Sequence, residues 1–136
     1  MRYNGVIQRK LALLDEEIGE LKTHLTGVSY GEFESSWVLR SMTERALQVA
    51  VEIVIDISER IIALKNCGPV ESASECIKKL VTLKILKSEQ PFEKMVKFRN
   101  VIVHQYEHIN PEILFDLAKN RLDDFREFIT AIDNAE

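Results

Sequence analysis

Residues 44–57 read Glu44-Arg45-Ala46-Leu47-Gln48-Val49-Ala50-Val51-Glu52-Ile53-Val54-Ile55-Asp56-Ile57. Wound at 3.6 residues per turn, the stretch from Ala46 to Ile57 is apolar nearly all round, which marks a central helix. One polar row interrupts it at i, i+4 steps: Glu44, Gln48, Glu52, Asp56 and then Arg60. Two readings of that row stand. It is a solvated face supported by i, i+4 pairs, or it is a polar wall looking into a site.

Outward from this stretch, the pattern predicts one helix from after Gly31 to about Lys65. It would be about 35 residues and roughly 50 Å long, with a break expected near Ser41. Its core stripe reads Phe33, Trp37, Met42, Ala46, Val49, Ile53, Ile57, Ile61 and Leu64. Cys67-Gly68-Pro69 stops it. On the N-terminal side, Ile7, Leu11, Leu14, Ile18, Leu21 and Leu25 alternate steps of four and three, the seam of a first packed helix. On the C-terminal side a shorter third helix covers about 71–86, and a fourth begins near Pro91, a first-turn position. Asn110-Pro111-Glu112 then supplies an N-cap, a first-turn proline and a first-turn acid for a fifth helix carrying Leu114, Leu117, Leu122, Phe125, Ile129 and Ile132. The expected fold class is all-α: five helices, an up-and-down four-helix core plus a shorter one, with residues 1–136 as a single domain.

Composition agrees and excludes several functions. The 136 residues are 46% hydrophobic and 29% charged, which suits a soluble globular chain. Five Gly and three Pro are too few for a turn-rich β fold. No apolar run approaches a membrane span and no secretory pattern opens the chain, so the expectation is a cytoplasmic protein away from membranes. Cys67 and Cys76 lack metal-ligand spacing, and three His without an H-E-x-x-H pattern predict no metal site. The formal net charge of -4 argues against a general nucleic-acid coat protein.

The chemistry concentrates at the end of the fourth helix, in Phe98-Arg99-Asn100-Val101-Ile102-Val103-His104-Gln105-Tyr106. A neutral His takes a proton from a ribose 2′-hydroxyl near pH 7. An Arg holds two phosphate oxygens and offsets charge that grows in the transition state. An Asn amide orients either partner. Such a set allows cleavage of RNA without a metal or other cofactor, leaving a 2′,3′-cyclic phosphate and a 5′-hydroxyl. On one ideal helix, however, Arg99 and His104 lie about 140° apart. Two copies of this helix packed about a two-fold axis would gather both residues into one cleft, so a homodimer is expected. Otherwise the helix ends before His104 and the chain bends. Plainer roles exist for the same residues: His104 as a helix-dipole partner, Tyr106 as a half-buried core residue, and Arg99 as an ion-pair partner of Glu52 or Asp56.

Arg99-Asn100-Val101-Ile102-Val103-His104-Gln105-Tyr106 reads as R-x4-H-x-Y and resembles the signature of HEPN-domain ribonucleases, specifically the HepT-like toxins. The stretch from Glu44 to Ile57 is similar to that family's second helix, and the likeness runs from about Ile7 to Ile132. The resemblance implies a HEPN bundle that dimerises through the motif helix. Arg99 and His104 would be the catalytic pair, Asn100 the polar helper and Glu52 a supporting acid. It implies a toxin of a type VII-like toxin–antitoxin pair, neutralised by a minimal nucleotidyltransferase antitoxin, MntA, that adenylylates Tyr106. Added phosphate charge and bulk there would exclude RNA. Two other functions compete: a non-catalytic HEPN binding module for a nucleotidyltransferase, and a structural helical oligomer.

The average charge conceals a local one. Residues 78–99 carry seven Lys or Arg against two acids, a block of +5 that runs into the motif. Two readings of the block stand: a solvated helix face, or a cationic approach to the motif in which Lys94 and Lys97 are the RNA-contact candidates, where local steering of a polyanion would act.

Overall fold

The computed structural model describes residues 5–104 and 109–135, the side chains of 102–104 excepted. Among them stand seven α-helices and no strand: α1 (Gly5–Leu25), α2 (Tyr30–Ser35), α3 (Trp37–Leu64), α4 (Ala73–Thr82), α5 (Glu93–His104), α6 (Pro111–Asn120) and α7 (Leu122–Asn134). The all-α class is met. The expected count of five is corrected, because two of the expected helices are each divided in two.

Capping explains the first division. Ser29 opens α2 with a reciprocal box: Glu32 N–H donates to Ser29 Oγ (3.2 Å), and Ser29 N–H donates to Glu32 Oε1 (3.1 Å). Ser36 then takes an extended backbone and accepts from Leu39 N–H at 3.1 Å, starting α3 afresh. The break therefore falls at Ser36, not near Ser41. The second division falls at Arg121, whose φ of -120° leaves the helix while its N–H closes α6 on the Leu117 carbonyl at 3.2 Å. The apolar pattern carries the same mark: Leu117 to Leu122 is too long a step for one helical face. The third expected helix is shorter than its pattern. Lys84 has a φ of +64° and ends α4, while Ile85 N–H returns to the Leu80 carbonyl at 2.9 Å. A single 3-10 turn over Gln90–Phe92 leads into α5.

α3 packs against every other helix, as expected of a central element. Its buried seam is Thr43, Leu47, Ala50, Val54, Ile57 and Ile61, at steps of four and three. This corrects the expected stripe. Trp37 and Leu64 are 64% and 53% exposed, and Met42, Ala46, Val49 and Ile53 are only half-buried. A helix apolar on all sides gives periodicity no means of choosing between neighbouring faces. The α1 seam, from Ile7 to Leu25, is buried throughout and lies along α3. On α7 the deepest ring is Phe128, 6.1 Å from Phe92, while Ile129 is half-buried. Gly27, with a φ of +77°, turns the chain after α1, and Lys119 Nζ on α6 donates to the Leu25 carbonyl there at 2.6 Å. Among the described residues no helix is long and apolar enough to cross a membrane.

Candidate active site

A cleft of about 630 Å³ opens where α3 meets α1, α5 and the segment leading into α4. The half-buried side of α3 forms its floor. Gln48, Glu52 and Asp56, members of the polar row, line it beside Val49 and Ile53. Both readings of that row find support: its middle three members line the cleft, while Asp56 and Arg60 form an exposed i, i+4 pair. α1 contributes Lys10, α5 contributes Arg99, and Val70, Ser72 and Cys76 close the far side.

Two ion pairs cross the cleft. Arg99 Nε donates to Glu52 Oε1 at 3.0 Å, tying α5 to α3. Their side chains remain 32% and 47% exposed, so the pair is open to solvent and to a ligand. Contact through Nε leaves the two terminal nitrogens of the guanidinium fork, the edge that takes two phosphate oxygens. Asp56 is otherwise engaged. It meets Lys10 Nζ at 2.6 Å and Arg60 Nε at 3.3 Å. Burial pulls the Asp56 carboxyl upward, but hydrogen bonds from Lys10 and Arg60 outweigh it and hold the group below its ordinary range. Of the two acids open as partners for Arg99, the structure selects Glu52.

The remaining site residues are placed unevenly. α5 is continuous through His104, so the alternative in which the helix ends before it does not hold. The His104 side chain and all of Tyr106 lie outside the described residues. Asn100 is exposed and does not line the cleft. Lys94 and Lys97 border a different groove, of about 580 Å³, with Phe98, Val101 and Ile113. Lys94 is paired there with Asp116 at 3.2 Å. Within one copy the positive block therefore does not converge on Arg99.

Sequence reasoning missed Lys10, Arg45 and Cys76 as neighbours of the site. Lys10 flanks the α1 seam next to Leu11, and Arg45 lies one position off the polar row; only packing shows that both line the cleft that holds Arg99. Burial, aided by Glu59 and Glu75, pushes the Cys76 thiol up to about 11, so it is not a nucleophile at neutral pH. Among the described residues no group of three or more His, Cys, Asp or Glu is arranged to hold a metal ion.

The ribonuclease HepT-like family model matches residues 14–132, a span that contains the cleft floor, Arg99 and the whole R-x4-H-x-Y stretch. The chain belongs to the ribonuclease HepT-like family. Two HepT proteins are similar to it along nearly their full lengths. The mRNA nuclease HepT of Shewanella oneidensis is 26% identical over 134 residues, covering 95% of this chain and 97% of its own. The tRNA nuclease HepT of Aphanizomenon flos-aquae is 25% identical over 131 residues, covering 95% and 88%. Among solved structures, a chain of a toxin–antitoxin crystal structure with AMP-PNP superposes with a TM-score of 0.86 at 25% identity, covering 98% of this chain and 100% of its own. The tri-AMPylated Shewanella oneidensis HEPN toxin in complex with MNT antitoxin shares the fold, with a TM-score of 0.84 at 24% identity and the same coverage. The resemblance read from the R-x4-H-x-Y motif is thus met at the level of the family.

Proposed function

We propose that residues 1–136 form one HEPN-like domain that cuts RNA as a homodimer, with the site in the interface cleft and no metal in the reaction. The observation that carries this reading is the position of Arg99. The motif arginine is held by Glu52 at the mouth of a solvent-open cleft, with the phosphate-facing edge of its fork free among the described contacts. In the proposed reaction His104 removes the proton from a ribose 2′-hydroxyl. The 2′-oxygen bonds to the adjacent phosphorus, the bond from phosphorus to the 5′-oxygen breaks, and that oxygen leaves with a proton. Arg99 stabilises the charge that accumulates on the phosphoryl oxygens, and Asn100 assists in orientation. The homodimer supplies what one straight α5 lacks, a shared space for Arg99 and His104.

The partner in this reading is an MntA-like nucleotidyltransferase that transfers AMP to Tyr106 and so blocks RNA entry. The toxin–antitoxin complexes with the same fold support it, as does the AMPylated state of one of them. The alternative, a non-catalytic module for the same kind of partner, draws on the acids Glu52, Asp56, Glu59 and Glu71 that line the cleft and suit a basic surface.

The deciding experiment compares the parent with His104→Ala on RNA and identifies the product ends. A 2′,3′-cyclic phosphate from the parent, with activity lost by at least about 100-fold in the variant, is the expected result. Equal cleavage by both proteins would sink the assignment. No cleavage by a pure dimeric parent would favour the binding module.

A further inference from the structure

Resting on the ribonuclease reading, we propose that Arg45 is a second phosphate-binding residue of the cleft, holding the RNA strand beside the scissile phosphate. Arg45 lies on α3 two turns before Glu52, on the same face, and lines the cleft that holds Arg99. The axial distance from Arg45 to Glu52 is about 10 Å at 1.5 Å per residue, so its long side chain works beside the Arg99 position without competing for it.

Charge accounting within the cleft singles it out. Arg99 is partly neutralised by Glu52 at 3.0 Å, and Lys10 by Asp56 at 2.6 Å. Arg45 is exposed and makes no ion pair or hydrogen bond among the described residues. The remaining acids, Glu59 and Glu71, lie toward the opposite end, Glu59 being about 20 Å along α3 from Arg45. The cleft is thus polarised. One end presents an uncompensated guanidinium next to the catalytic arginine, and the other presents carboxylates. A polyanion that reaches Arg99 is favoured in only one direction, across Arg45. The contact would be to a phosphate rather than a base, because an unconstrained arginine on an open wall has nothing to fix a base edge in plane.

The test is the salt dependence of RNA binding, measured by fluorescence anisotropy with a labelled short single-stranded RNA. The His104→Ala protein serves as the parent, so that no substrate is consumed. Adding Arg45→Gln is expected to lower the slope of log Kd against log salt by about 0.7 for each Arg45 that meets a phosphate. Binding would then weaken more at about 50 mM salt than at about 200 mM, the deficit shrinking by about 2.6-fold across that range for one lost contact. Arg45→Lys, which keeps the charge, is expected to retain the parent slope. Lys22→Gln, which lines a separate groove with Asp123 and Arg126, is expected to leave it unchanged. An unaltered slope in Arg45→Gln overturns the proposal, as does an equal drop in Lys22→Gln. The same follows if Arg45→Gln weakens capture of the nucleotidyltransferase but not of RNA. Because binding is read apart from cleavage, RNA binding through Arg45 combined with no cleavage by the dimeric protein that retains His104 would sink the ribonuclease reading and leave RNA binding at Arg45 standing.

Discussion

The Glu52–Arg99 contact sets the chemistry at the scale of single residues. A guanidinium on an exposed helix samples many rotamers, and a carboxylate on its Nε removes most of them while leaving the phosphate edge available. In the proposed reaction Glu52 is therefore a positioning residue. Glu52→Gln is expected to lower kcat for RNA cleavage by about 10- to 100-fold with little change in KM, since the phosphate is still bound but less well aligned. Glu52→Asp should recover part of the loss, and steady-state kinetics on one RNA substrate checks both. A rise in KM at constant kcat would instead make Glu52 part of the binding surface. Asp56, one turn further on, does different work despite its similar charge. Lys10 and Arg60 occupy its oxygens, so it ties α1 to α3 and has no free edge for Arg99.

α3 serves two purposes at the scale of the element, one on each face. The seam Thr43, Leu47, Ala50, Val54, Ile57 and Ile61 is buried, and the neighbouring side, with Gln48, Val49, Glu52 and Ile53, floors the cleft. The two faces predict opposite costs for truncation. Leu47→Ala is expected to destabilise the fold by about 2–5 kcal/mol through lost burial and the cavity left behind. Trp37→Ala, although it removes a larger side chain, is expected to change stability by no more than about 0.5 kcal/mol, because Trp37 is 64% exposed. Urea unfolding of both variants decides between this seam and a stripe through Trp37. The same duality is why the pattern alone misplaced the core stripe. An apolar residue at the rim of a cleft and one in the core read alike.

The charge distribution acquires its meaning at the scale of the whole molecule. The block over residues 78–99 is +5 in sequence, yet the fold spreads it. Lys94 turns to Asp116 on α6, Lys97 borders a second groove, and Arg99 alone of the block lines the first cleft. In the proposed homodimer a second copy would bring the parts of that block together and place Arg99 and His104 in one cleft. Specific activity is therefore expected to fall on dilution in step with loss of the dimer mass, followed by mass photometry. Activity that stays constant as monomer accumulates would refute the shared site. The sequence by itself determined the helical class, the α1 seam, the stops after α1 and α3, the motif and, through it, the family. These are local properties, fixed by apolar spacing, turn chemistry and residue type within a few turns. Only the tertiary structure decided which side of α3 is core, that Glu52 and not Asp56 meets Arg99, and that Lys10 and Arg45 belong to the cleft. Each of those outcomes depends on how helices distant in sequence rotate against one another to bury apolar surface. That choice leaves no periodic mark on a helix apolar on nearly every side.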